Sequence, residues 1–152
     1  MSNRRLLYIF ILIISVSLTI HPSFGFTNPR LSAYEEKLFA FINQYRAANG
    51  LNPLAVDKSL MQLAERHSAY MENKNVLSHE YFNERFRQSG RFLCVENVGW
   101  NYQTPEEQFR AWKISADHNK NLLNKKITRT GISRVGTYVT FFACDDEEGH
   151  AR

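Results

Sequence analysis

Apolar side chains recur at Leu38, Phe41, Ile42 and Tyr45, while Glu35, Glu36, Lys37, Gln44 and Arg46 fill the positions between them. That spacing is one face of an amphipathic helix. Asn49-Gly50 closes it, because glycine takes the left-handed conformation that ends a helix at no steric cost. LNPLAVD (51–57) reads as a connector, and Asp57 is a suitable N-cap for a second helix. Leu60, Leu63, Ala64, His67 and Met71 form the apolar stripe of that helix, which runs out near Asn75. His67 lies on the stripe and is therefore expected as a core histidine hydrogen-bonded to backbone rather than as a metal ligand.

Residues 78–93 are polar and aromatic without a clean period, and one short helix is expected over Tyr81 to Gln88. Val95 to Trp100 reads as a short strand. Thr104-Pro105-Glu106-Glu107 is a strong helix start, with a threonine cap, proline in the first turn and a glutamate completing a capping box. Phe109 and Trp112 point inward from this helix. It fades near Ser115, which is expected to cap a further segment ending at Leu123. Two β-prone runs follow, Gly131 to Val135 and Thr137 to Cys144, around a turn at Gly136. Trp100 and Trp112 are both expected in the core. Helices that precede and alternate with a few antiparallel strands define an α+β class.

The two ends of the chain read differently. Residues 6–20 (LLYIFILIISVSLTI) form an uncharged apolar block after Arg4 and Arg5, and small residues follow at Ser23 and Gly25. This is the order of a secretory signal. As a helix the block spans about 22 Å, short of the roughly 30 Å of a bilayer core. Cleavage after Gly25 is expected, with an uncleaved anchor as the alternative, and the remainder is secreted, extracellular or periplasmic in either case. The expected organisation is a signal (1–25), an extended lead with Pro29 (26–34), one domain (35–144) and an acidic tail (145–152). His150 in the tail has no partner in sequence.

The full chain of 152 residues carries a net charge of +4, which falls to +2 when Arg4 and Arg5 leave with the signal. The other basic residues are scattered among acids, so a nucleic-acid surface is not expected. Nor is stable membrane insertion after cleavage. Cys94 and Cys144 remain in a chain bound for an oxidising compartment, and a disulfide between them is expected, with two buried free thiols as the alternative. Local catalytic signatures such as HExxH, GxSxG, a P-loop or GxGxxG are missing. The candidate chemistry lies in dispersed groups at element ends: His79, Glu96 and His118. Two imidazoles and a carboxylate suit zinc or copper with an open position. They equally suit a hydrogen-bonded polar cluster without metal.

Taken in order, INQYRAANGLNPLAVDKSLMQLAERHSAYM, LSHEYFNERFRQSG, CVENVGW, PEEQFRAWKISADHNKNLL and TRTGISRVGTYVTFFAC resemble the CAP domain. This domain, also called the SCP domain, is shared by cysteine-rich secretory proteins, antigen 5 and pathogenesis-related proteins. Trp112, Ser115, His118, Asn121, Leu122 and Leu123 fit the W-x-x-S-x-x-H-x-x-N-[IL]-L segment of the compact bacterial form. The resemblance implies an α-β-α sandwich with a small antiparallel sheet and an open cleft. By motif, His79, Glu96 and His118 match three of the four cleft residues of larger members. Ser115 stands where those members carry a second glutamate, and Asp117 stands where compact members often carry glycine. Asp117 either favours protonation of His118 or simply faces solvent. Glu96 has a further expected role, anchoring its strand through backbone hydrogen bonds while Asn97 satisfies turn groups nearby.

Two functions follow from the resemblance. The first is a secreted binding module whose cleft takes a divalent metal, a small or lipid-like molecule, or a protein ligand. The second is a metal-dependent hydrolase of peptide, glycan or nucleic acid, with His79 and His118 as ligands and Glu96 as general base.

Overall fold

The computed structural model describes residues 31–146. The expected signal and residues 147–152 of the tail, including His150, lie outside the described residues. The first helix, α1 (Ala33–Ala48), starts at Ser32. The Ser32 hydroxyl accepts from the Glu35 N–H, and the Glu35 carboxylate accepts from the Ser32 N–H. This capping box satisfies donors that a helix start otherwise leaves open. Ala33 and Tyr34 are accordingly helical, not part of an extended lead.

Leu38 and Ile42 are buried on α1, and Phe41 and Tyr45 pack on Phe109 with ring centroids 5.9 and 5.6 Å apart. Glu35 and Arg46, expected on the polar face, are buried too. Glu35 accepts from the Arg134 backbone N–H at 2.7 Å. Arg46 donates to the carbonyls of Asn52, Leu122, Asn124 and Ile127 at 2.8–3.3 Å. A buried guanidinium is tolerable because carbonyls take its donors.

Ala55–Val56 forms β1, a two-residue strand inside the expected connector, paired in parallel with β3 (Arg129–Val135). Asp57 then caps α2 (Lys58–Lys74), accepting from the Ser59 and Leu60 N–H groups. Helix α3 (Phe82–Ser89) leads into β2 (Cys94–Trp100), and α4 (Pro105–Ile114) and α5 (Ala116–Leu122) follow. The Thr104–Glu107 capping box of α4 is present. Ser115 occupies the cap position of α5, but its hydroxyl makes no cap hydrogen bond. Strand β4 (Tyr138–Cys144) pairs antiparallel with both β2 and β3, giving the order β1-β3-β4-β2. The sheet is therefore mixed, with β1 as its parallel edge.

Period-2 alternation on the fully buried β4 divides the core. Val139, Phe141 and Ala143 meet Leu38, Ile42, Trp112 and Leu122 from α1, α4 and α5. Phe142 and Cys144 meet Leu60, Leu63 and Ala64 of α2 on the opposite face. This is the α-β-α sandwich. Gly131 lets α2 settle on the sheet, because a Cβ there would lie 2.2 Å from backbone atoms of Leu60 and Met61. Cys94 and Cys144 form a disulfide across a directly opposed β2–β4 pair. Closing a loop of 50 residues stabilises by about 4 kcal/mol in the chain-entropy account.

Two expectations fail at the surface. Trp100 is 49% exposed, resting on Tyr138 at a centroid distance of 6.3 Å, because it is the last residue of β2, at the end of the β2–β4 ladder. Trp112 is buried as expected and donates to the Val98 carbonyl. At the other end, Asp145 and Asp146 are not part of a free tail. The Asp145 N–H donates to the Leu93 carbonyl, and Asp146 pairs with Arg91 and Arg129.

Candidate functional site

Strand β2 carries Glu96 into the interior, where its carboxylate is 1% exposed. Three basic side chains surround it. Arg85 of α3 grips both oxygens, Nε to Oε2 and Nη2 to Oε1, each at 2.8 Å. His79, from the loop before α3, meets Oε1 with Nδ1 at 2.9 Å. His67 of α2 stands 3.7 Å from the same oxygen. Burial alone would raise the Glu96 pKa, but the His79 and Arg85 hydrogen bonds and the charge of Arg85 outweigh it and hold the pKa low. The anchor of Glu96 is thus side chain to side chain, not the expected backbone bonding.

This arrangement sets the histidine tautomers. An ionised carboxylate only accepts, so Nδ1–H of His79 donates and Nε2 keeps the free lone pair on a ring 52% exposed. His67 donates through Nε2–H to the Ser78 carbonyl at 2.8 Å, the backbone bond expected for a core histidine. Its Nδ1 is left buried without a partner among the described residues. Burial pushes the His67 pKa below its ordinary value.

His118 comes from the other side, near the start of α5. Asn97 does not satisfy turn groups; its side chain donates to the His118 carbonyl at 3.0 Å. Asn121 donates to the Glu96 carbonyl and to Asn97 Oδ1, so an amide relay ties α5 to β2. Burial first, and His79 whenever it is protonated, push the His118 pKa down; Asp117 opposes them without prevailing. His118 is therefore a neutral imidazole near pH 7.

His79 and Glu96 open onto a depression of about 340 Å³ with Phe82 and Asn121. His118 and Ser115 open onto a second cavity of about 290 Å³, walled by Trp100, Tyr102 and Trp112. The structure thus brings His79 and Glu96 into contact, and holds His118 within electrostatic reach of His79. Among the described residues, no group of three or more His, Cys, Asp or Glu side chains is arranged to hold a metal ion. Arg85 and His79 engage both Glu96 oxygens, and His79 and His118 line different cavities.

Sequence reasoning missed Arg85 and Gln108. Arg85 lies in the stretch that lacked a period, and the only available signal was a basic residue on a short helix ahead of the glutamate strand. Gln108 sits one turn before Trp112 on α4 and is completely buried. A spacing of four residues puts both on one helix face.

A sandwich of this topology, with a histidine–carboxylate cleft at one end of the sheet, defines an SCP-type domain. Residues 39–145 match the cysteine-rich secretory protein family, CAP, and the chain belongs to it. It is 34% identical over 112 residues to the uncharacterized protein YkwD of Bacillus subtilis, covering 69% of this chain and 44% of that protein. It is 28% identical over 118 residues to the uncharacterized membrane protein YlbC of the same organism, covering 70% and 33%. The chain thus spans less than half the length of these curated relatives. Among solved structures, it superposes on an extracellular SCP-domain protein from Bacillus anthracis with a TM-score of 0.69 and 26% identity, covering 73% of this chain and 40% of that one. It superposes on an outer surface protein of Borrelia burgdorferi with a TM-score of 0.68, covering 74% and 92%; at 19% identity this likeness concerns the fold alone. No helix among the described residues is long and apolar enough to cross a membrane.

Proposed function

We propose that this chain is a secreted binding domain whose cleft presents His79 Nε2 and the His118 imidazole to a divalent metal ion or to a small ligand in its place. The observation that carries this reading is the saturation of Glu96. Arg85 occupies both carboxylate oxygens, and the carboxylate in turn orients His79 with its Nε2 lone pair free. Zinc or copper suits neutral imidazole, and such an ion would polarise whatever small molecule completed its coordination. Two protein nitrogens are fewer than the three usual at catalytic zinc, so weak binding, micromolar or poorer, is expected.

The hydrolase alternative needs Glu96 to take a proton from water. A buried carboxylate kept ionised by Arg85, with no oxygen left over, is poorly suited to that work. A lipid-like ligand has no comparable anchoring group in its favour. Extracellular placement is supported by the extracellular description of the Bacillus anthracis neighbour.

Calorimetric titration with zinc and with copper tests the reading, repeated on His79→Ala and His118→Ala. Binding that both substitutions abolish is expected, and undiminished binding in both variants contradicts the shared site. Metal binding without turnover of peptide, glycan or nucleic-acid panels separates the binding domain from the hydrolase.

A further inference from the structure

The loop that delivers His79 runs against the usual preferences of a helix start. Tyr81, the residue before α3, sits at φ 60°, in the left-handed region, and makes no side-chain cap bond. Serine, threonine, aspartate or asparagine in an extended conformation would start the helix at lower cost. A bulky residue stays left-handed only where its surroundings over-determine the backbone, and such strain gathers at functional sites.

The surroundings here do so from both sides of His79. His67 of α2 donates through Nε2–H to the Ser78 carbonyl at 2.8 Å. Arg85 of α3, besides gripping Glu96, donates through Nη1 to the Glu80 carbonyl at 2.7 Å. The carbonyls of the residues before and after His79 are thus held by two buried basic side chains, while Glu96 holds its ring. Tyr70, one turn after His67 on the same helix face, donates its hydroxyl to the Glu80 carboxylate at 2.5 Å and meets Tyr81 edge-on at 5.4 Å. His67 makes its bond although this leaves Nδ1 buried without a partner among the described residues. An apolar side chain would fill the same space without that cost. The imidazole carries an unpaired nitrogen for the sake of one bond, and that bond lies next to His79.

We propose that His67 is a positioning residue for His79. Acting through the Ser78 carbonyl, with Arg85 on the Glu80 carbonyl, it fixes the main chain so that the His79 imidazole has one tautomer and one orientation before any ligand arrives. The inference rests on the reading of His79 as the group that presents a ligand. It adds the source of the preorganisation, which is a set of main-chain bonds from α2 and α3 and not the Glu96 contact alone. A side chain already held loses little further freedom on binding, so these bonds contribute affinity.

Glutamine places its Nε2 amide where histidine has Nε2 and can make the same bond, whereas leucine cannot. The test begins with the metal-free chain at about pH 8, above the ordinary histidine range. Long-range proton–nitrogen correlation spectra separate the tautomers of His79 by its two ring-nitrogen shifts. The parent should show a single Nδ1–H form. His67→Leu should move both nitrogens toward the averaged values of a freely exchanging ring, and His67→Gln should restore them. Zinc binding should weaken about tenfold in His67→Leu, the usual scale for a residue that orients a ligand, and recover in His67→Gln. If His67→Leu does not fold, His67→Asn takes its place, because asparagine is too short to reach the Ser78 carbonyl. Parent-like His79 shifts in His67→Leu, or equal displacement in the leucine and glutamine variants, would overturn the proposal. A His79 ring fixed by His67 but silent to zinc would support the positioning role and count against the metal reading.

Discussion

The two ends of strand β2 treat buried polar groups in opposite ways. Near its start, Glu96 is a charge surrounded by partners: Arg85 on both oxygens, His79 on one and His67 close by. Near its end, Gly99 faces the Gln108 amide, which has none among the described residues. A saturated group builds scaffold, because its bonding capacity is spent on holding neighbours in place. An unsatisfied buried group holds no neighbour in place and costs the fold its desolvation. His118 stands between the two, its backbone carbonyl bound by Asn97 of the same strand, and the residue lines the second cavity.

The largest expected effect breaks the saturated end. Arg85→Ala strands a buried carboxylate and should destabilise by about 3–5 kcal/mol in denaturant unfolding. Pairing Arg85→Met with Glu96→Leu should recover most of that loss, since apolar replacement of a whole buried pair is often neutral. Next in size is the staple two residues before Glu96. Replacing Cys94 and Cys144 with alanine should cost about 2–4 kcal/mol, and non-reducing intact mass on the unfolded protein should find no alkylatable thiol in the parent chain. The unsatisfied end responds with the opposite sign. Gln108→Leu removes a buried unpaired amide and should stabilise by roughly 1 kcal/mol.

The smallest effect is expected in the pH profile between neutrality and pH 5. The folded-state pKa values of His67 and His118 are depressed, so the unfolded chain binds protons first. Their contribution is present above about pH 6.5, the ordinary histidine value, and is lost as pH falls through the folded values. Glu96 and Asp57 are depressed as well. A second loss should therefore follow below about pH 4, the ordinary carboxylate range. Denaturation midpoints measured across pH would contradict this if stability rose on acidification.

Features decided by local chemistry were legible in the sequence. The Asp57 cap, the Thr104–Glu107 capping box and the left-handed Gly50 each depend on residues within a few positions. The β-prone apolar run of β4 announced a strand by itself. Groups whose partners lie far along the chain were not legible. Periodicity assigns Glu35 and Arg46 to a solvated face, but their partners are the Arg134 N–H and the carbonyls of Leu122 to Ile127, brought near only by the fold. Strand β1 has two residues, too few to show alternation, and is made a strand by β3. At the site, positions at element ends singled out His79, Glu96 and His118, and the motif resemblance strengthened that choice. Arg85, which decides what Glu96 is able to do, was hidden in an aperiodic stretch, and no apolar signal marked Gln108 as buried.

The central claim is that Glu96 orients His79 so that it shares a ligand with His118. The most direct test is an NMR titration with zinc that follows the imidazole C–H resonances of the assigned histidines. The His79 and His118 signals should move together and saturate at one equivalent, while the buried His67 signal stays in place. Independent shifts of the two, or a response led by His67, would contradict the claim.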